Sequence, residues 1–290
     1  MKVSGFTIIR NAIKYDYPVV ESITSVLPMC DEFIVAVGNS EDDTRKLIES
    51  IASDKIKIID SVWNDELRVG GKVLADETNK AKKAISPDSD WAFYIQSDEV
   101  IHEKYHAEIL SAMKKWKDNK EIEGLLFKYL HFYGNYEFVG NSRKWYRNEI
   151  RIIRNDNNIV SYKDAQGFRT RDNKKLNVKD IDACVYHYGW VKPPKAQQEK
   201  QKNFNKLWHS DDWMVKNISK DEEFDYSKID SLKKFEGTHP AVLAERLQRY
   251  NWKFDFNPRN IHLSVKDRLL LFIEEQSGYR VGEYKNYKLI

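Results

Sequence analysis

Short apolar runs alternate with segments of helical periodicity through the first hundred residues. The apolar runs predict buried strands at GFTIIR (5–10), FIVAVG (33–38), KIKIID (55–60) and WAFYI (91–95). The segments between them repeat apolar residues every three or four positions and predict helices at 17–27, 40–51 and 73–85. Strands that alternate with helices are typical of a doubly wound α/β sheet. WAFYI is apolar on both faces, so we expect it to be central and parallel.

The pattern changes after residue 105. Helices are predicted at 105–117, 196–208, 240–250 and 264–276, and strands at 123–134, 149–156 and 185–191. Two capping boxes are predicted as helix starts, Ser40 with Asp43 and Ser264 with Asp267. We therefore predict an α/β, mostly parallel sheet domain over 1–195 and a helical C-terminal extension over 196–290.

The carboxyl ends of the predicted strands are where a ligand is expected in such a sheet. These ends are Arg10–Asn11, Gly38–Asp43, Trp63–Glu66 and Gln96–Glu99. Asp98 follows the central strand, and hard divalent cations such as Mg²⁺ and Mn²⁺ prefer oxygen ligands of this kind. The alternative from spacing alone is that Asp98 only caps a following helix.

Composition narrows the class of protein. The net charge of +3 is too small for the clustered basic surface that nucleic acid requires. Cys30 and Cys184 lie in no metal or redox spacing, which favours buried thiols in a reducing compartment. The N-terminal apolar run is interrupted by Arg10, and no window reaches the roughly 18 apolar residues of a membrane span. We expect a cytoplasmic protein, with docking at the inner face of the membrane left open.

Four segments together resemble family 2 glycosyltransferases of the GT-A fold, of the bacterial surface-glycan type. They are GFTIIRNA, VAVGNSEDDT, the apolar strand ending in SDE, and YHYG at 186–189. The resemblance is good over residues 4–100, patchy to 195 and absent beyond. It implies a GT-A-like fold, a role in polysaccharide biosynthesis, and inverting transfer of a sugar from a nucleotide-diphosphate sugar to a glycan or lipid-linked glycan hydroxyl.

The resemblance also implies roles for residues. A Mn²⁺ or Mg²⁺ ion is expected on Asp98 and His187, the alternative for His187 being a hydrogen-bonded histidine in an aromatic core. Donor binding is expected from Asn39, Gln96, Ser97 and Asp98. The strand-end position adds Arg10 and Asn11 to the expected donor site, and the position before a helix adds Arg68 and Lys72 as phosphate contacts, with solvated loop charges as the alternative for these last two. Two departures bear on this: Gln96 stands where the family has the first motif aspartate, and Gly38-Asn39-Ser40 lacks the aspartate that closes the second strand. Because Gln96 brings no charge, metal dependence is open.

An inverting transferase needs a general base near the acceptor hydroxyl. Asp164 in SYKDAQGF is the first candidate and Glu149 the second, each with an ordinary surface acid as its alternative. Trp145 and Tyr146 are candidates for stacking on an acceptor sugar, the alternative being a loop packed by its own aromatics.

Other interpretations stay open at this level. A catalytically silent nucleotide-sugar or glycan-binding module would keep the same fold, while a nucleotidyltransferase ranks lower because no glycine-rich basic loop follows the first strand. The segment Ser264–Gln276 is amphipathic and suits either core packing or peripheral membrane contact. The lysine-rich segment Lys195–Lys206 is most simply a solvated face.

Overall fold

The computed structural model describes residues 1–67, 69–218, 221–257 and 262–290. These residues form thirteen strands and eight α-helices. The strands are β1 Val3–Ile9, β2 Glu32–Gly38, β3 Ile56–Ser61, β4 Trp91–Tyr94, β5 Glu99–Ile101, β6 Gly124–Tyr133, β7 Phe138–Gly140, β8 Asn148–Arg154, β9 Ile159–Tyr162, β10 Gly167–Thr170, β11 Asn177–Trp190, β12 Leu232–Lys234 and β13 Lys288–Leu289. The helices are α1 Val19–Val26, α2 Thr44–Glu49, α3 Lys72–Lys83, α4 His106–Trp116, α5 Pro194–Lys206, α6 Asp211–Asn217, α7 Ala244–Gln248 and α8 Val265–Ser277.

The first four strands form the parallel half of the main sheet. β1 pairs in parallel with β2 and β4, and β3 pairs in parallel with β2, which gives the order β4-β1-β2-β3. Every residue of β1 and β2 is buried because helices cover both faces, with α1 and α4 on one side and α3 on the other. The predicted α/β class is confirmed.

The second half of the sheet joins the first through an antiparallel strand. β8 lies between β4 and β6 and is antiparallel to both, so β4 has one parallel and one antiparallel neighbour. β11 runs parallel to β6 and antiparallel to β5, and its register places His187 opposite Glu99. This pairing brings the end of β4 and the distant YHYG segment together.

The chain beyond residue 196 also contributes to the sheet. β12 pairs with β7, and β13 pairs with β11. The remainder of this region carries helices α5 to α8 and connecting segments. The division of the chain at residue 195 stays a prediction.

The turn after β2 differs from the predicted capping box. Asp43 occupies the N-cap position of α2 without a side-chain cap bond, and the Ser40 hydroxyl instead accepts a hydrogen bond from the Asn11 amide at 3.0 Å. The Asn11 side-chain oxygen accepts in turn from the Glu41 amide at 2.7 Å. Ser40 therefore connects the segments that follow β1 and β2. Its prediction as a helix cap is wrong.

Helix α8 has the predicted capping residues at both ends, but its apolar residues are not packed in the core. The Ser264 hydroxyl accepts from the Asp267 amide at 3.1 Å, and Gly278 ends the helix in the left-handed region at a φ of 69°. Val265, Leu269 and Phe272 are 87%, 59% and 59% exposed, so the core-packing interpretation of this helix is wrong. Among the described residues, no helix is long and apolar enough to cross a bilayer.

Candidate functional site

A cavity of about 880 Å³ lies at the carboxyl ends of the parallel strands, where the sequence predicts a ligand. Its opposite wall is formed by Lys200 and Phe204 of the lysine-rich helix α5 and by Leu207, which follows the helix. Eight predicted site residues line it: Arg10, Asn11, Gln96, Ser97, Asp98, Tyr146, Asp164 and His187. The fold therefore gathers residues that are far apart in the chain around one volume, which is large enough for a nucleotide sugar.

Asp98 is the most buried acid in this cavity and is held among cations. Its Oδ2 accepts a hydrogen bond from Lys200 Nζ at 3.1 Å, and its Oδ1 lies 3.7 Å from His187 Nε2. Burial opposes ionisation of Asp98, but the neighbouring lysines, Lys200 above all and then Lys192, hold the pKa of its carboxyl well below the usual range. Asp98 is therefore a carboxylate at neutral pH. It precedes β5, so it does not cap a helix.

The protonation of His187 follows from its neighbour His131. His131 Nε2 lies 2.8 Å from the Tyr146 carbonyl, which only accepts hydrogen bonds, so this nitrogen carries the proton. Burial lowers the pKa of His131 to about 3, which leaves its Nδ1 bare. His187 Nδ1 lies 3.3 Å from that bare nitrogen and must donate to it. Burial also lowers the pKa of His187, so its Nε2 keeps a free lone pair directed towards Asp98.

These atoms fit a divalent cation. A histidine that ligates a metal through Nε2 usually donates its other N–H to an acceptor, as His187 does here. Gly189 leaves the space open, since a Cβ there would lie 2.7 Å from both Asp98 Oδ2 and His187 Nε2. No group of three His, Cys, Asp or Glu suited to a metal occurs in the part of the chain described. The remaining ligands of an ion on Asp98 and His187 would be phosphate oxygens and water.

Glu99, the next residue in the chain, has a different environment. Its carboxylate forms a bidentate ion pair with Arg151 through two bonds of 2.7 Å, and both side chains are 0% exposed. The Tyr129 hydroxyl donates to the same carboxylate at 2.8 Å, and the backbone N–H of Gln96 donates to it at 3.1 Å. With these bonds in place, Glu99 acts as an anchor for the 96–99 turn.

The side chain of Gln96 connects the end of β4 to the loop that carries Asp164. Gln96 Nε2 donates to the Ala165 carbonyl at 3.1 Å. Lys163 and Ala165 flank Asp164 and have positive φ angles of 53° and 62°, a conformation that costs free energy for residues with a Cβ. The loop is therefore held in a strained conformation that directs residues 164–166 towards the cavity.

The two predicted general bases occupy different places. Asp164 lines the first cavity, and burial raises the pKa of its carboxyl. Glu149 lies in a second cavity together with Trp145, and this cavity shares Tyr146, Asp164 and Gln166 with the first. Burial raises the pKa of Glu149 to about 8, so this acid is mostly neutral at pH 7.

We expect Glu149→Gln to stabilise the protein at pH 8 and to have little effect near pH 4. A raised pKa in the folded state means that folding holds a proton which the unfolded chain releases above its ordinary pKa, so stability falls as pH rises from about 4.5 to about 8. Glutamine removes that penalty. Its side-chain oxygen can still accept the hydrogen bond that Gln166 Nε2 donates to Glu149 Oε1 at 2.8 Å in the unmodified protein. Thermal unfolding at several pH values checks this. An equal change in Tm at pH 4 and pH 8 would contradict it.

Two other predicted residues lie outside the lining of the first cavity, and a third is not described by the structure. Asn39 accepts a hydrogen bond from the Trp63 amide at 3.2 Å, and it does not line the first cavity. Lys72 opens α3 and is exposed, outside the lining of that cavity. Arg68 falls outside the described residues.

Several residues of the site were not anticipated from the sequence. Lys200 is only 11% exposed, so the prediction of a solvated lysine-rich face over Lys195–Lys206 is wrong at this position. The sequence does contain a sign that Lys200 is buried. Lys200 precedes Phe204 by four positions and Leu207 by seven, a spacing that places all three on one helical face. Lys192 is fully buried, and its Nζ donates to the Asp16 carbonyl at 2.6 Å.

Comparison with known proteins adds to this picture at the level of the fold. No protein-family model and no curated protein matches the sequence. The crystal structure of residues 1–349 of TarS from S. aureus is 19% identical with a TM-score of 0.40, over 77% of this chain and 67% of that chain. A longer TarS structure is 18% identical with a TM-score of 0.41, over 77% of this chain and 41% of that one.

A third similar structure is glucosyl-3-phosphoglycerate synthase from Mycobacterium tuberculosis, in complex with Mn²⁺, UDP and phosphoglyceric acid. It is 22% identical with a TM-score of 0.30, over 45% of this chain and 43% of that chain. The chain thus spans less than half of this structure and of the longer TarS structure. These likenesses concern the fold alone, and the activity proposed below rests on the side chains of this protein.

Proposed function

We propose that this protein is an inverting glycosyltransferase that moves a sugar from a nucleotide-diphosphate sugar to a hydroxyl of a glycan or lipid-linked glycan. The observation that carries the proposal is the arrangement around Asp98. An ionised acid, a histidine with a free Nε2 lone pair and the Lys200 ammonium lie together at the carboxyl edge of the sheet. Such a group suits the diphosphate of a donor, whose charge grows as the sugar leaves.

Two buried donors support nucleotide binding in the same cavity. Arg10 Nε and Trp63 Nε1 are buried and have no hydrogen-bond partner among the described residues. Both residues line the cavity, and the Arg10 guanidinium lies 5.6 Å from the centre of the Trp63 ring. Buried donors without partners cost free energy, and the carbonyl and hydroxyl oxygens of a nucleoside would satisfy them.

In the proposed reaction one C–O bond forms, another C–O bond breaks and one proton is transferred. The acceptor oxygen bonds to the anomeric carbon of the sugar, and the bond from that carbon to the diphosphate oxygen breaks, leaving its electron pair on the diphosphate. The acceptor proton passes to the carboxylate of Asp164, whose burial-raised pKa makes it a stronger base than a solvated aspartate. Lys200 is positioned to interact with the leaving group. A Mn²⁺ or Mg²⁺ ion on Asp98 and His187 would supply further positive charge there.

A peripheral contact with the inner face of a membrane belongs to the same proposal. The exposed residues Val265, Leu269 and Phe272 form an apolar stripe on α8, and Lys266 lies beside them. A helix of this kind suits an interface with anionic lipids, where lipid-linked acceptors reside.

The test is calorimetric titration of the protein with a panel of nucleotide sugars, with and without Mn²⁺, together with an assay for release of nucleoside diphosphate. We expect at least one donor to bind, and Asp98→Ala to weaken that binding about 10–100-fold, since it removes charge-assisted contacts. Asp182→Ala is the control, because Asp182 is an exposed acid that pairs with Lys128 at the surface.

The outcomes separate the candidate functions. Binding of no nucleotide sugar would refute the proposal. Tight binding without any release of nucleoside diphosphate, in the presence of candidate acceptors, would identify the silent binding module instead. The structural support for that second candidate is the direct Lys200–Asp98 contact, which competes with a metal for the carboxylate.

A further inference from the structure

A second cavity of about 420 Å³ lies beside the first. Its wall towards the first cavity is formed by Tyr146, Asp164 and Gln166, which line both volumes. A group bound in the second cavity can therefore lie next to the carboxyl of Asp164, on the side away from Asp98.

The second cavity carries an excess of positive charge. Arg143, Arg147 and Arg280 all line it, and all three pair with the single carboxylate of Glu274. The distances from the guanidinium nitrogens to the Glu274 oxygens are 2.9, 3.0 and 3.3 Å. Arg280 also lies 3.9 Å from Glu283, which lines the cavity too. Two carboxylates do not neutralise three guanidiniums, so the cavity attracts an anion, and its walls concentrate that field.

Glu149 provides an unpaired polar atom at the same place. Its side chain is 4% exposed, and Oε1 accepts from Gln166 Nε2 at 2.8 Å. Its Oε2 has no hydrogen-bond partner within the described residues. Gly167 leaves room beside this buried oxygen, because a Cβ on residue 167 would lie 2.9 Å from it. Since the raised pKa keeps Glu149 largely protonated at pH 7, its carboxyl can donate a hydrogen bond to a ligand hydroxyl.

We propose that the second cavity binds the acceptor, and that this acceptor carries an anionic group, a phosphate or a carboxylate. The inference rests on the proposed transferase function and adds the chemical class of the acceptor. The anionic group lies against Arg143, Arg147 and Arg280. A ligand hydroxyl bonds to Glu149, and the reacting hydroxyl reaches Asp164 at the shared wall.

The test uses three probes of similar size: glucose 6-phosphate, glucuronate and glucose. Their binding to the wild-type protein and to Arg147→Met is measured by calorimetry, and UDP is titrated in parallel. We expect at least one anionic probe to bind about tenfold more tightly than glucose, and Arg147→Met to remove that preference. UDP binding should be unchanged by this substitution, because Arg147 does not line the first cavity.

Arg249→Met is the matched control. Arg249 is an exposed arginine that pairs with one acid, Glu245, at 2.8 Å and lies outside both cavities. It should leave the affinities for all four ligands unchanged. Binding of only glucose 6-phosphate would name phosphate as the anionic group, and binding of only glucuronate would name carboxylate.

Failure of this inference differs from failure of the proposed function. If UDP binds but no anionic probe binds better than glucose, or the preference survives in Arg147→Met, the anionic acceptor is excluded and the transferase proposal stands. If anionic probes bind in an Arg147-dependent manner but neither UDP nor any nucleotide sugar binds, the cavity is an anion site without an acceptor role and both proposals fall.

Discussion

Asp164→Asn is expected to lower the rate of sugar transfer about 10²–10⁴-fold while donor affinity stays the same. Asp164 lies where the two cavities meet, and burial raises the pKa of its carboxyl. Asparagine has nearly the same shape but cannot take a proton at neutral pH. The loss should therefore appear in kcat, because the substitution removes an interaction needed only in the transition state.

The measurement is steady-state release of nucleoside diphosphate, paired with calorimetric titration of the donor. Glu149→Gln serves as the comparison, because Glu149 is the second candidate base and is already largely neutral at pH 7. We expect it to retain most of the activity. If Asp164→Asn turns over normally while Glu149→Gln is inactive, the two residues exchange roles; if both variants are active, neither is the base.

The second large effect is expected from Arg151→Met, which should lower the free energy of unfolding by about 3–5 kcal/mol. Arg151 and Glu99 are both 0% exposed and share two hydrogen bonds of 2.7 Å. Methionine fills much of the same volume but leaves the Glu99 carboxylate buried without its counter-ion. That uncompensated charge, rather than lost packing, is the source of the destabilisation.

Urea unfolding followed by fluorescence measures this effect. Lys128→Met is the control, since Lys128 pairs with Asp182 at the same 2.7 Å but at an exposed position, where such pairs contribute at most about 1 kcal/mol. In the double variant Arg151→Met/Glu99→Leu the buried charge is absent, so much of the lost stability should return. Equal losses in Arg151→Met and Lys128→Met would contradict the assignment of the pair as a structural anchor.

The sequence predicted the parallel half of the sheet and the edge of the sheet at which the first cavity lies. Buried parallel strands are continuous apolar runs, and the position of Asp98 follows from a general property of such sheets, that strand ends meet at one edge. The same rule placed Arg10 and Asn11 at the cavity. These predictions succeeded because each depends on a local pattern and on a topology that is common to the class.

Residues paired across long distances in the chain could not be predicted in this way. Arg151 lies within the apolar strand EIRIIR, which hints at a buried partner, but nothing local names Glu99. Lys200 is 102 positions from Asp98 in the chain, and its partner becomes evident only when α5 covers the sheet edge. The apolar stripe of α8 has a periodicity that fits burial and exposure at a lipid surface equally well, so the sequence left both open.

The adjacent residues Asp98 and Glu99 belong to different parts of the molecule. Asp98 faces the cavity, and Glu99 is bonded to Arg151 within the protein. A mutational scan scored by activity alone would show both positions as equally intolerant. Scored by the amount of folded protein in the cell, the same scan would separate them, because variants at 98 would accumulate as inactive protein and variants at 99 would be degraded.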